Sequence, residues 1–284
     1  MTKFGLQIPN FTFADVPDRE MFEHVADLAV AGEQAGFDSV WVMDHFWQLP
    51  PLGGPTQPML EGYTLLGGLA ARTRRVKLGT LVTGVTYRNP ALLAKMATTL
   101  DIVSSGRAML GLGAAWYEEE HDALGFDFPR AGERLDRLEE ALQICRAMFT
   151  EPAATFTGRH YRVAEVLNNP KPIRGRIPIL IGGSGERRTL RLVAQYGDAC
   201  NVFGDPEGVR HKLDVLERHC ADVGRDPAEI TKTTLLTVQD VAAGADQAAD
   251  YAKIGIDGIV VNMPDVTDLD KLARTGETLR AVLT

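Results

Sequence analysis

The sequence predicts an α/β chain closed into a (β/α)8 barrel, and three observations carry that expectation. Strand and helix patterns alternate from one end of the chain to the other in eight units. The strand segments are near-continuous apolar runs, as parallel strands covered by helices require. The length of 284 residues is close to the usual size of such a barrel. A doubly wound open sheet is the other arrangement of alternating units, and eight units in this length favour closure.

The elements follow in order. KFGLQIP (3–9) is the first strand, and residues 18–35 carry Met21, Phe22, Val25, Leu28 and Ala29 at helical spacing. FDSVWVM (37–43) is the second, followed by a Pro/Gly-rich loop (50–58) and a helix over 60–73. RVKLGTLV (75–82) is the third, and Pro90 opens a helix that runs to about Ser104. RAMLGLG (107–113) is the fourth. The helix over 133–149 has Leu135, Leu138, Leu142, Cys145 and Phe149 on one stripe and charges opposite.

A stretch rich in Pro, Asn and Arg (151–177) is too long for an ordinary connection. It reads as a loop segment inserted before the fifth strand. IPILIGG (177–183) is that strand and leads into a helix over 185–196. DACNVFG (198–204) precedes a helix from Pro206 to about Val223, and ITKTTLLTVQ (230–239) a helix over 244–254. DGIVVNM (257–263) and a helix over 267–283 complete the eighth unit. No linker or low-complexity segment divides residues 1–284, so a single domain is expected. The chain ends soon after the eighth unit, which leaves little room for a further C-terminal lid.

Composition narrows the function. With 45% hydrophobic and 24% charged residues the chain is globular, long enough to bury a sizeable core. A formal charge of −8 argues against nucleic acid and against an anionic membrane as partners. No apolar run approaches the roughly 18 residues of a membrane span, so a soluble cytoplasmic protein is expected. Cys145, Cys200 and Cys220 are scattered and odd in number, which suits reduced core thiols rather than disulfides. The histidines show no metal-ligand spacing, and no metal is expected.

In a barrel the C-terminal strand ends converge on the active site, which turns strand ends into candidates. They are Pro9 and Asn10; Asp44, His45, Phe46 and Trp47; Thr80, Val82, Thr83 and Gly84; Gly113, Ala114, Ala115 and Trp116; Gly182, Gly183, Ser184 and Gly185; Asn201 and Phe203; and Asn262. This rim is poor in acids and bases and rich in glycines and aromatics. It suits a large planar ligand with one proton-handling group beside it. His45 is that group, although a histidine among aromatics can be purely structural. Asp44 either orients a ligand or caps a loop; Trp47 and Trp116 either shape a substrate pocket or pack as core.

IGGSGERRTL (181–190) ends a strand on glycines and opens a helix, the arrangement whose free N–H groups take a phosphate. The alternative is a tight turn that needs glycine for steric reasons. Lys171, Arg174, Arg176, Arg187 and Arg188 against Glu186 make this neighbourhood +4, which suggests a polyanionic ligand tail at the rim. GLGAAW (111–116) lacks the third glycine of a dinucleotide fingerprint. No G-x-S-x-G elbow is present, and nucleophilic hydrolysis is not expected.

The runs FGLQIPNF, GFDSVWVMDHF, LGTLVTGVTYRNPALLAKMATTLDIVSSGRAMLGLGAAW, EEEHDALGFDFPRAGERLDRLEEALQICRAMF and IPILIGGSGERRTLRLVAQYGDACNVFG resemble the luciferase-like monooxygenase superfamily. Within it they are similar to oxidoreductases that use coenzyme F420, a 5-deazaflavin. The resemblance implies a TIM barrel with the isoalloxazine-type ring at its C-terminal mouth. It implies a bulge in the third strand, often with a non-prolyl cis peptide, that backs the ring at Thr80, Leu81, Val82 and Thr83. The cofactor phosphate would sit on Gly182, Gly183, Ser184 and Gly185, with Arg187, Gly113 and Ala114 as further cofactor contacts.

Asp44 and His45 match the family's Asp-His pair, whose histidine handles a proton in the sugar-phosphate dehydrogenases of the group. Those enzymes have Gly-Thr-Gly-Glu after the fourth strand. Here Gly113, Ala114, Ala115 and Trp116 stand there, which argues against sugar-phosphate oxidation and for a more apolar pocket. The expected function is hydride transfer between coenzyme F420 and a small organic substrate, as a reductase, with His45 as proton donor or acceptor. An FMN-dependent two-component monooxygenase is the alternative, and a non-catalytic flavin-binding relative a third reading. A homodimer and a separate cofactor-reducing enzyme are the expected partners.

Overall fold

The computed structural model describes residues 2–264 and 268–283. Its first strands are β1 (Lys3–Ile8), β2 (Ser39–Val42), β3 (Lys77–Thr80), β4 (Thr83–Gly84) and β5 (Leu110–Gly113). A hairpin, β6 (Ala154–Thr157) and β7 (Arg162–Val166), comes next. It is followed by β8 (Ile179–Gly182), β9 (Ala199–Val202), β10 (Thr231–Thr237) and β11 (Gly258–Asn262). Apart from the hairpin these pair in the order β3-β2-β1-β11-β10-β9-β8-β5-β4, and every pair is parallel. The expected third strand (75–82) is interrupted: β3 ends at Thr80, the Leu81–Val82 peptide bond is cis, and pairing resumes beyond the expected end in β4. The ring closes where Leu78 N–H donates to Arg107 O at 3.0 Å and Met109 N–H to Leu78 O at 2.8 Å. The expected (β/α)8 barrel is therefore the observed one.

Outside the ring stand α1 (Met21–Gln34), α2 (Gly62–Arg72), α3 (Pro90–Val103), α4 (Glu118–Leu124) and α5 (Ala131–Thr150). They are followed by α6 (Thr189–Tyr196), α7 (Pro206–Asp222), α8 (Val241–Lys253) and α9 (Leu269–Leu283). Local chemistry sets several starts. Asn89, Asp205 and Asp240 accept backbone N–H groups of Ala91, Gly208 and Ala243 at 2.8–2.9 Å, and Pro follows the first two. The Asp240 cap starts α8 before the expected position.

Strand alternation sorts the core into two layers. Leu6, Ile8, Val40, Val42, Leu78, Leu110, Ile181 and Val261 belong to the large cluster that includes the helix faces. Trp41, Leu180, Ala199 and Val260, with Leu81, Val82, Met109 and Leu235 against them, plug the barrel interior. Burying one such side chain contributes about 1.5–3 kcal/mol, so the plug is a firm floor for anything bound above it. Cys145, Cys200 and Cys220 are free and buried.

Three expectations change. The 151–177 stretch is not wholly irregular: its antiparallel hairpin is held on α5 by Glu140, which accepts N–H bonds from Arg159 at 2.7 Å and Tyr161 at 2.8 Å. The helix expected from 185 begins at Thr189. The preceding Arg188 is drawn aside to Asp136 at 2.6 Å and to Gly132 O at 2.9 Å. The short α4 arises from the acidic run after Trp116, which carried no helix expectation. The expected start of the last helix at 267 lies outside the described residues.

Candidate active site

Because the barrel strands are parallel, their C-terminal ends open onto one cavity of about 980 Å3. Every barrel strand, or the residues that directly follow it, contributes to its wall. The walls include Gln7, Pro9 and Asn10; Met43, Asp44 and His45; Leu81 to Gly84; Gly113 to Trp116; Gly182 and Gly183; Asn201 and Phe203; Leu235; and Asn262. Most of the expected rim residues are thus brought together.

One wall is a flat seat. Val82 projects over β5 and β8, where a Cβ on Gly113 or Gly182 would stand 2.8 Å from Val82 Cγ2. Real Cβ atoms do not approach that closely, so glycine is what lets the bulge lie against these strands. Behind the bulge, Tyr63 Oη and Thr83 Oγ1 lie 2.8 Å apart and Thr83 Oγ1 and Thr80 Oγ1 2.7 Å apart. Thr80 therefore supports the bulge from behind and does not line the cavity.

The opposite character is found after β2. His45 Nδ1 donates to Glu120 Oε2 at 3.0 Å. Glu120 is fully buried on α4, and its Oε1 accepts N–H bonds from Phe46 at 2.7 Å and Trp47 at 3.1 Å. Tyr87 Oη donates to Glu120 Oε2 as well and lines the cavity. Burial pushes the Glu120 carboxyl upward, but the bonds from His45, Tyr87 and Phe46 outweigh it and hold the group below its ordinary value. A carboxylate on Nδ1 fixes the ring and its tautomer, which leaves Nε2 as the nitrogen able to take or give a proton.

Asp44 lines the cavity, yet both its oxygens are engaged by Arg88, at 2.6 and 2.9 Å. Arg88 also donates to Glu61 at 2.6 Å and lies over the Tyr63 ring at 4.9 Å. Burial pushes Asp44 up to about 6 against the pull of Arg88. Trp116 is 61% exposed, stands edge-on to His45 at 5.6 Å and stacks on Tyr117 at 5.0 Å. Trp47 is not among the lining residues; it packs against Tyr117 at 6.2 Å behind the wall.

At the β8 loop, Gly183 takes a positive φ of 124° and lines the cavity with Gly182. Ser184 and Gly185 stand just outside the lining, and Ser184 Oγ accepts the Phe203 N–H at 3.3 Å. Arg187 is exposed in the turn before α6. The expected basic rim does not form as a unit. Lys171, Arg174 and Arg176 precede β8 and so lie at the other end of the barrel. There Lys171 Nζ donates to Met148 O at 3.0 Å and Arg176 pairs with Asp198 at 2.7 Å. Arg188 is occupied by Asp136.

The residues not anticipated are Glu120, Tyr87, Arg88, Glu61 and Gln7. Glu120 sits in the run EEEHDALG, whose helical phase alone would have turned one acid inward. Arg88 and Tyr87 lie two turns of chain beyond the bulge, and no local pattern ties them to Asp44.

A family model described as luciferase-like monooxygenase matches residues 2–281. The F420-dependent glucose-6-phosphate dehydrogenase of Kineococcus radiotolerans is 36% identical over 175 residues, 61% of this chain and 50% of that protein. That of Microbacterium testaceum is 35% identical over 190 residues, 66% of this chain and 55% of that protein. The chain spans about half the length of these curated relatives. Among solved structures, an F420-dependent secondary alcohol dehydrogenase in complex with an F420-acetone adduct superposes with a TM-score of 0.85 at 19% identity, over 99% of both chains. The monooxygenase RslO1 of Streptomyces bottropensis gives 0.80 at 20% identity, over 99% of this chain and 98% of that one. At these identities the likeness to the solved structures is one of fold.

Proposed function

We propose, for a chain that belongs to the luciferase-like monooxygenase family, hydride transfer between coenzyme F420 and a small organic substrate, with the protein working as a reductase. The observation that carries this reading is the pairing of a flat glycine-backed seat with a single oriented imidazole across one cavity. The residues fit a planar cofactor. A cavity of about 980 Å3 has room for a tricyclic ring and a substrate together, and Leu81 and Val82, lying against Gly113 and Gly182, give the ring an apolar seat.

When bound, the deazaflavin supplies a carbon that gives or accepts a hydride. The chain supplies the rest. Leu81 and Val82 back the ring, and Gly113, Ala114, Gly182 and Gly183 allow it close approach to main chain. Ser184, Gly185 and Arg187 lie where a phosphate would meet N–H groups and one cation. His45 Nε2 delivers or removes the accompanying proton, while Glu120 holds the imidazole through Nδ1 and Tyr87 in turn holds Glu120. Asp44, pinned by Arg88, borders the ring site. Trp116 covers the substrate side of the mouth, and Trp47 shapes it from behind through Tyr117.

The choice of F420 over FMN rests on what the relatives are named for, because the basic cluster that would have favoured a polyanionic tail is split between the barrel ends. We include a cytoplasmic homodimer in the proposal, fed by a separate cofactor-reducing enzyme. Leu92, Ile102 and Val103 are exposed apolar residues at the two ends of α3, and a second copy packed along this helix would cover them. Among the described residues no helix is long and apolar enough to cross a membrane.

Anaerobic titration of the protein with F420 and with FMN, followed by fluorescence quenching, tests the cofactor. Tight F420 binding with FMN weak is the expected result. Tight FMN binding with F420 excluded overturns it and points to oxygen chemistry. His45→Ala is then expected to lower kcat by about 10²–10⁴-fold with F420 affinity retained. An equal loss in both would remove the proton role.

A further inference from the structure

From β3 and β4 the barrel runs one way through β2 and β1, and the other way through β5, β8 and β9. β11 and β10 therefore face the Leu81–Val82 bulge across the cavity. A ring seated on the bulge would turn its free face toward that wall. Above Leu235, that wall and the strands flanking it carry amides and hydroxyls rather than glycines: Thr237 and Gln239 at the end of β10, Asn262 on β11, Gln7 on β1 and Asn201 on β9 all line the cavity. Gln7 and Asn262 are register partners across β1 and β11, and Thr237 is level with Asn262 across β10.

Two of these groups lack partners. Gln7 is 3% exposed, and neither its Oε1 nor Asn262 Oδ1 has a hydrogen-bond partner. A buried amide oxygen left unpaired costs about 1–3 kcal/mol, which a bound hydrogen-bonding group would offset. Either carboxamide can turn to present its NH2 instead, so the pair can serve a donor or an acceptor.

Charge is the second, independent observation. Among the described residues the cavity lining contains no lysine or arginine. Arg88, reaching in from behind, is committed to Asp44 and Glu61. Asp44 adds an acid to the wall. A phosphate or carboxylate entering here would lose its hydration without a lysine or arginine to replace it. At the entrance, Trp116, Phe203, Leu49 and Leu52 offer apolar contact to the body of a ligand.

We propose that the cavity takes an uncharged substrate whose carbonyl or hydroxyl group is bound by the Gln7 and Asn262 carboxamides, and that it rejects phosphorylated and carboxylate substrates. This deepens the hydride-transfer reading and rests on it for the reaction, though not for the binding. It separates this chain from the relatives named for glucose 6-phosphate, which it resembles in sequence.

Saturation-transfer NMR on the full, cofactor-free chain, in phosphate buffer that occupies the Ser184–Arg187 loop, tests the binding with 2-cyclohexen-1-one, glucose and glucose 6-phosphate as probes. At least one neutral probe is expected to bind saturably, and glucose 6-phosphate neither to bind nor to displace it. Gln7→Leu and Asn262→Leu are each expected to weaken the neutral probe by about fivefold or more. The proposal is overturned if glucose 6-phosphate binds better than glucose, if no neutral probe binds, or if folded variants keep wild-type affinity. The glucose comparison uses unaltered protein and so survives a variant that does not fold. F420 quenching on the same samples separates the two readings. Loss of F420 binding by wild type would sink the cofactor assignment, while the NMR comparison still decides the charge preference.

Discussion

The ends of β2 and β8 border the same cavity and are built differently. After β2 the chain passes Asp44, His45, Phe46 and Trp47, and side chains from distant elements reach in to hold them: Glu120 from α4, and Tyr87 and Arg88 from the loop before α3. After β8 it passes Gly182 to Gly185, and the contacts run through main chain, from Gly183 N–H to Asn201 O at 3.2 Å and from Leu190 N–H to Gly185 O at 3.0 Å. A proton-handling ring must be held in one orientation and one tautomer, which takes charged partners at fixed distances. A planar or anionic ligand needs close approach to backbone, which takes the absence of side chains. The two regions should therefore fail differently when altered.

Arg88→Met should be the most damaging change on the β2 side. It would strand the buried Asp44 carboxylate and cost about 3–5 kcal/mol in urea unfolding at neutral pH. Adding Asp44→Asn should recover much of that loss, because the stranded charge is then gone. A single Arg88→Met that unfolds like wild type would mean Asp44 is neutral in the folded protein, and the pair is not what secures this loop.

Glu120→Gln should cost about 1–3 kcal/mol and lower turnover while leaving cofactor affinity intact. Its pH dependence has a definite sign. The folded-state value of Glu120 lies below the ordinary 4.5, so its contribution is present above that value and disappears as pH falls through the lowered one. The stability gap between wild type and Glu120→Gln should be wide at neutral pH and close on acidification. A gap independent of pH would mean that shape, not charge, is what Glu120 provides.

On the β8 side the effects should be smaller and confined to binding. Gly182→Ala sets a Cβ 2.8 Å from Val82 Cγ2 and should weaken cofactor binding by about tenfold, roughly 1.4 kcal/mol. Arg187→Ala should weaken it by less than about 1 kcal/mol, more at low salt than at high, as an exposed cation does. A larger loss at Arg187 than at Gly182 would reverse the comparison and make charge the basis of the β8 site.

The units of the barrel were legible because each strand and helix announces itself within its own segment. Apolar runs of strand length, the stripe on residues 133–149 and Pro90 behind Asn89 are local facts. The rim could be read for the same reason, since parallel strands place their C-terminal ends together wherever the boundaries fall within a residue or two. His45, Asp44, Gly113, Gly182 and Gly183 were found that way. The basic rim was misjudged because sequence proximity ignores which end of a strand a residue stands at. Lys171 and Arg187 are sixteen positions apart, and β8 runs between them.

What the sequence by itself determined is the alternation, the parallel closure and the identity of the imidazole at the mouth, because these depend on periodicity and on the ends of segments. Only the tertiary structure decided which groups serve that imidazole. Glu120 lies 75 positions from His45 and Arg88 lies 44 from Asp44. Nothing in either segment encodes the other. They meet because α4 and the loop before α3 are folded over the same end of the barrel, where burial makes a partner for each charge obligatory.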